Sequence, residues 1–502
     1  MAVGQNFTAA TLNVESSAVP PDANGVAGPL HYVEFVNGRF TVFNKTNSAK
    51  VTTMTDVTFW SQAGITLAGG WDVTDPRIIF DPASQRWFVS GVDFDPTGTI
   101  NTNHMLLAIS ATADPSSAWK ALSITALPGG NTFCDFPTLG LDAQGVYIAA
   151  DLFDPASNPL GSTLVSLPKK DLLASTPVSS ALTRFGIMSY AARGDILQPA
   201  VCLDGSGQGT VLSADGIGVD TNSNFITNTS LVQFQVQNAA GPGKATLGSS
   251  SFLSVSPYTA PLDPVQPDLS TNLDDGDARF SANVYEVGGV LYAVHGTQLG
   301  DRAALRWYRI DAASHTVLES GTVSDPVNDL YYPSIAANAA GIAVIAFNGS
   351  SSRTFLSSFA VVGRTVNGVT TFNKPVLLKS GTASYQNTDS TGTSRWGDFS
   401  TTCLDPSDST IFWTIQEIAT GASTWSTQVT EIRTGIPVIS VSRSGSNQLL
   451  SWTGTLFNLQ TTTNIIQPTW TVVTQNLSTN NGLVTAQVPL ANDSGFFRLQ
   501  AH

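Results

Sequence analysis

The chain has 502 residues, 42% of them apolar and only 12% charged, with a formal net charge of −14. That is enough apolar material for a large interior, with about half the usual share of charge. The clustered Lys and Arg that nucleic-acid binding needs to displace counterions are missing, and no run of 18 apolar residues offers a membrane span.

Ser, Thr, Asn and Gly take the place of the missing charge, a profile that suits an exported β protein with polar, uncharged loops. The opening MAVGQNFTAA lacks the charged and apolar regions of a signal peptide, so the expectation is a secreted or cell-surface protein whose leader has been removed. Cys134, Cys202 and Cys403 make neither a disulfide framework nor a metal spacing, and they read as small buried hydrophobes.

In chain order, seven units can be aligned on a turn: PPDANGVAGPLHYVEFVNGRFTVFN at Asn37-Gly38, DPRIIFDPASQRWFVSGVD at Asp81-Pro82, DFPTLGLDAQGVYIAAD at Asp142, QPAVCLDGSGQGTVLSAD at Asp204, ARFSANVYEVGGVLYAVHG near Glu286, YYPSIAANAAGIAVIAFN at Asn338, and RWGDFSTTCLDPSDSTIFWTIQE at Asp405-Pro406. The turns recur roughly 61 residues apart on average. Each unit holds two β-rich runs around an Asp, Asn, Gly or Pro turn, which is hairpin chemistry, and each spacer has room for two more strands. Four strands per repeat point to a β-propeller. Only KKDLLAS resembles a helical turn. The early stretch NFTAATLN can pair with TQVTEIRT and close the ring. After Arg433 the pattern shifts to short alternating strands, a separate small β-sandwich with its boundary marked by Pro437. The fold expected is therefore all-β, with a seven-bladed β-propeller over 1–434 and a small C-terminal β-sandwich over 435–502, the latter a spacer, sorting or accessory binding module.

The segments PPDANGVAGPLHYVEFVN, DPRIIFDPASQRWFVSGV, YYPSIAAN and RWGDFSTTCLDPSDSTIFWTIQE together resemble a family of exported bacterial proteins that carry PPDTNG, DPRVIYD and RWGDYS…VDP…FW forms. The tail FNLQTTTN…FFRLQ is similar to C-terminal modules of exported proteins from Verrucomicrobia-like bacteria. The resemblance implies export and a propeller-like fold. It brings no activity and no catalytic residue, and the S-x-D-x-G-x-x-W turns of sialidase-type propellers are missing.

In a hairpin, residues entering the first strand lie beside those leaving the second. Asp75, Arg77, Asp135, Arg279, Tyr332, Arg395 and Asp398 enter, while His295 and Glu417 leave, so a ring gathers them on one face around the channel. Asp81, Asp142, Asp204 and Asp405 fall on the opposite face as caps of their own turns. Three functions are compatible with the polar face. It can bind a glycan or another extracellular polymer, with Trp71, Trp396 and Tyr332 stacking on sugar rings and Arg77, Arg279 and Arg395 gripping polar groups. It can act as a glycoside hydrolase or polysaccharide lyase, with Asp75, Asp135, Asp398, Glu417, His295 and Tyr332 as catalytic candidates. It can serve as a protein-interaction scaffold. The insertion DPVQPDLSTNLDDGDARF offers Asp268, Asp274, Asp275 and Asp277 as hard oxygen ligands for a structural Ca²⁺. No organic cofactor is expected, and the sequence leaves the oligomeric state open.

Overall fold

The computed structural model describes residues 1–502 apart from 100, 101, 217–225, 242, 269–272, 389–391, 393, 436–438, 454–456, 475, 481, 482, 490–494 and 502. The short apolar runs of the sequence form antiparallel sheets whose inner strands are nearly continuous in Val, Ile, Leu and Ala, because both faces of each sheet are covered by a neighbour. Blade 1 contains Asn24–Ala27, His31–Val36, Arg39–Asn44 and Lys50–Met54. Blade 2 contains Asp72–Asp81, Arg86–Phe94, Met105–Ser110 and Trp119–Ile124. Blade 3 runs from Phe133–Leu141 to Thr183–Arg184, and blade 4 from Asp195–Pro199 to Ser251–Tyr258. Blade 5 runs from Tyr285–Val287 to Thr316–Val323, and blade 6 from Asp329–Ala337 to Val376–Lys379.

The last blade joins the two ends of the propeller. Its strands Thr401–Leu404, Ile411–Gly421 and Thr424–Arg433 are completed by Ala2–Thr11 at the outer edge. Phe7 pairs with Val429 and Thr8 with Gln428, the closure expected from NFTAATLN. Contacts between first strands run from blade 1 to 2, 2 to 3, 3 to 4, 5 to 6, 6 to 7 and 7 back to 1. Blades 3, 4 and 5 meet through the short parallel pairing of Val201–Cys202 with Leu141 on one side and Tyr285 on the other. The propeller is therefore a closed ring.

Two local expectations need correction. Asn37-Gly38 joins the second and third strands of blade 1 rather than the first two, and the equivalent turn is Gly28 to Leu30, between Asn24–Ala27 and His31–Val36. Asn37 therefore lies on the polar face. The helix Asp56–Gln62 was not anticipated from the sequence; Thr55 caps it by accepting a bond from the Thr58 N–H, and it buries Phe59 and Trp60 against blade 1 and blade 2 residues. KKDLLAS does contain a turn of helix, Lys169–Leu172. All three cysteines are free and buried.

The turn aspartates behave as the sequence implies. Asp142 accepts from the Gln144 and Gly145 N–H groups, and Asp405 from the Ser407 N–H. Two of them also tie blades together, through Lys169–Asp81 at 2.6 Å and Lys45–Asp405 at 2.7 Å. Beyond the propeller, Ser440–Ser444, Asn447–Thr453, Leu483–Pro489 and Leu477–Asn480 form one sheet. Thr471–Val472, Phe457–Thr462 and Phe496–Ala501 form a second. The two enclose Leu450, Trp452, Leu459 and Ala486. Pro437 lies outside the described residues.

Closure depends on Trp425, which is fully buried, packs with Ala10 and Leu12, and donates its indole N–H to Ala18 O at 3.0 Å. Trp425→Ala is expected to cost about 3–5 kcal/mol in a urea melt. A loss below about 1 kcal/mol, within the range of an ordinary surface substitution, would show that the terminal strand does not hold the ring shut.

Candidate functional site

The polar face is built by a repeated backbone irregularity. The inner strands of blades 2, 3, 4 and 6 each break register at the same end, between Thr74 and Arg77, Asp135 and Thr138, Asp195 and Gln198, and Tyr331 and Ser334. One residue at each break sits in the left-handed region: Asp75 (φ +57°), Phe136 (+50°), Ile196 (+51°) and Tyr332 (+45°). Three of these precede Pro76, Pro137 and Pro333, which have no N–H to lose from the ladder. Bulges of this kind bend a strand and re-aim its side chains.

The bulge in blade 2 brings Arg77 to the axis. Its Nε donates to Pro137 O at 3.0 Å and Nη1 to Ser281 O at 2.9 Å. The guanidinium lies 3.3 Å from the centre of the Phe399 ring and 5.1 Å from that of Phe136, and the residue is only 1% exposed. Burial lowers its pKa to about 10, against the pull of Asp75, Asp22 and Asp398. It stays charged at neutral pH.

Two buried carboxyl groups, Asp22 and Asp75, act on this cation, and a third, Glu417, is buried near Asp398. Asp22 accepts from Asn37 Nδ2 at 2.9 Å and from the Asp398 N–H at 3.1 Å. Asp75 accepts from the Thr74 hydroxyl at 2.8 Å and the Phe136 N–H at 3.1 Å. Glu417 accepts from the Gly397 N–H and keeps one oxygen without a partner. Gly397 is required there, because a Cβ would stand 2.0 Å from Glu417 Oε1. Loss of solvent, then repulsion among neighbouring acids, raises Asp75 to about 7 and Glu417 to about 8, and holds Asp22 well above the carboxylate range.

Beside this cluster opens a cavity of about 350 Å³ walled by Asp135, Phe136, Asp274, Asp275, Asp277, Arg279, Tyr332, Arg395 and Asp398. Arg279 forms a fork on Asp277, with Nε at 2.8 Å from Oδ1 and Nη2 at 2.6 Å from Oδ2, and lies 4.7 Å from the Phe136 ring centre. Arg395 forms a second fork on Asp398 at 2.7 and 2.8 Å and reaches Asp274 at 3.1 Å. Asp135 accepts from the Phe136 N–H at 3.0 Å and is open to the cavity. The surrounding protein, then Asp398, still raises its carboxyl pKa. Asp275 is 4% exposed, and neither of its oxygens has a partner. Burial, then Asp263 and Asp274, push it far up.

Of the residues named from sequence, the cavity therefore collects Asp135, Asp274, Asp275, Asp277, Arg279, Tyr332, Arg395 and Asp398. Asp75, Arg77 and Glu417 lie in its buried surround, so the two carboxyls do not face the opening as catalytic groups would. His295 is a correction. It is fully buried, stacked on Tyr308 and bonded to its hydroxyl at 3.0 Å, and burial lowers its pKa to about 3. Tyr332 cannot act as a base either, since its hydroxyl donates to Trp396 O at 3.2 Å and burial raises its pKa far above 10.

Neither expected tryptophan platform forms at the cavity. Trp396 is fully buried against Tyr385, and Trp71 lies beside His104, outside the cavity wall. For Ca²⁺, no group of three or more His, Cys, Asp or Glu side chains is placed to hold a metal among the described residues. Asp274 and Asp277 bind arginines, and Asp268 accepts from Gln386. Sequence reasoning missed Asp22, Phe136 and Phe399. The recurrent residue-Pro step at the strand entries is the signal that could have found Phe136.

No protein-family model matches the chain, and no curated protein matches it. Among solved structures it is similar to a protein of unknown function from Dyadobacter fermentans, at 12% identity and TM-score 0.38 over 74% of this chain and 97% of that one. It is also similar to the Trypanosoma rangeli sialidase, at 9% and 0.34 over 85% of this chain and 60% of that one. The Dos1 propeller matches at 8% and 0.36, over 81% and 75%.

Because the folded chain holds protons on Asp75 and Glu417 that the unfolded chain releases near pH 4, their contribution to stability is full below that pH. It is lost as pH rises through about 7 to 8. The melting temperature should therefore fall between pH 5 and 8.5, and Glu417→Gln should shrink that fall. An unchanged pH profile in the variant contradicts a buried, protonated Glu417.

Proposed function

We propose that the protein is exported and binds a glycan, or another hydroxyl-rich extracellular polymer, in the cavity beside the propeller axis. The observation that carries this reading is the lining itself. Carboxylates and guanidinium forks contributed by separate blades face one opening whose volume lies near the lower end of the roughly 300–1,000 Å³ typical of ligand sites. Such groups match the alternating donors and acceptors of sugar hydroxyls, and charge-assisted hydrogen bonds are the stronger kind. The buried ring of Phe136 in the cavity wall is the apolar group at that site, in place of the tryptophans expected from sequence. Composition and the family resemblance support export.

A second reading, a glycan-active hydrolase, is favoured by one contrast. Asp135 has a raised pKa and is open to the cavity, while Asp398 in the same wall is paired to Arg395. Two carboxyl groups on one opening, one unpaired and one held by an arginine, are the kind of pair from which glycoside hydrolysis is built. Asp135→Asn separates the two readings. It should weaken glycan binding at least tenfold in titration calorimetry under the binding reading, with the melting temperature unchanged. It should instead abolish release of reducing ends while sparing binding under the enzymatic one. If a broad polysaccharide panel shows neither binding nor turnover by the wild-type chain, both readings fail.

A further inference from the structure

We infer that this cavity selects a ligand presenting a positively charged amine, on a glycan an unacetylated amino sugar, over neutral or acidic counterparts; the inference rests on the glycan reading above. The argument is one of unmatched charge. Five carboxyl side chains line the cavity against two guanidinium groups. Both guanidinium groups are already committed. Arg279 closes its fork on Asp277, and Arg395 divides its donors among Asp398, Asp274 and the Trp396 carbonyl. Neither presents an open fork to an anionic ligand.

On the acidic side the situation is reversed. Asp135 meets one backbone N–H and no cation. Asp275, nine-tenths buried on the cavity wall, has two oxygens with no donor at all. A buried acceptor left without a donor is costly, and an acid buried without a cation beside it keeps its proton until a cation arrives. Hence the wall lacks both donors and positive charge. A sugar hydroxyl supplies only the first, a uronate adds repulsion, and an ammonium supplies three donors and a charge. A bare divalent ion supplies the charge but demands six to eight oxygens for calcium, and no cage of three acidic side chains is placed for it among the described residues. An ammonium imposes no such coordination geometry.

The test is titration calorimetry of the full chain at pH 6 with three probes: a glucosamine tetramer, its fully N-acetylated counterpart and a tetragalacturonate. The free amine should bind at least tenfold more tightly than the acetylated tetramer, with no detectable uronate binding. Asp275→Asn and Asp135→Asn, made separately so that one misfolded variant does not decide the matter, should each remove most of that preference without lowering the melting temperature. If the acetylated or acidic tetramer binds as well as the amine, the inference falls and the glycan reading stands. If none of the three binds and no other glycan does, both fall. If the amine binds but neither folded variant changes its preference, attraction to the net charge of −14 explains the result, and the cavity assignment is overturned.

Discussion

The buried guanidinium of Arg77 is the constraint around which the polar face is arranged. It rises from blade 2, bonds a backbone carbonyl of blade 3, reaches Ser281 ahead of blade 5 and stacks on Phe399 ahead of blade 7. Holding a cation away from water is expensive, and leaving one uncompensated typically costs about 3–5 kcal/mol. The surrounding acids Asp22, Asp75 and Asp398 supply that compensation. Their crowding in turn keeps part of the cluster protonated. One clasp thus explains the bulges that aim these groups, the glycine of the RWGD sequence and the unusual proton affinity of the surround.

The division of labour among the charged residues follows from position relative to this clasp. Residues on its buried side serve the ring: Asp75, Glu417 and Asp22 bond backbone or side-chain donors of neighbouring blades. Residues on its open side line the cavity, where Arg279 and Arg395 are neutralised by acids of the loop before blade 5 and by Asp398. What remains unmatched is acidic, Asp135 and Asp275, and both line the cavity. The opposite face carries Lys–Asp pairs and capped turns, a mechanical role in keeping with its aspartates.

Much of the architecture was legible because hairpin chemistry repeats. Asp81, Asp142, Asp204 and Asp405 mark turns whatever the surroundings, and NFTAATLN has the strand character that closure needs. Blade 1 was misregistered because Asn37-Gly38 is a strong local turn signal at the wrong hairpin, while the Gly28 to Leu30 connection has little turn chemistry beyond Gly-Pro. The helix Asp56–Gln62 is not legible in the sequence because Val57, Thr58, Phe59 and Trp60 favour strands, and packing of Phe59 and Trp60 overrides that preference. At the site, sequence order placed Asp135, Arg279, Arg395 and Asp398 on the correct face. It could not distinguish open from buried: His295, Trp396 and Glu417 occupy the same strand ends, and only packing against Tyr308, Tyr385 and Gly397 removes them from solvent.

The central claim is that the open-side acids form the ligand contact while Arg77 and its partners form the frame. A crystal structure of the chain soaked with a glucosamine oligosaccharide tests it most directly. The account predicts sugar density in the cavity, with a nitrogen within hydrogen-bond distance of Asp275 or Asp135 and Arg77 unmoved between Phe136 and Phe399. Density bound elsewhere on the propeller or on the C-terminal sandwich, with the cavity left to water, would contradict it.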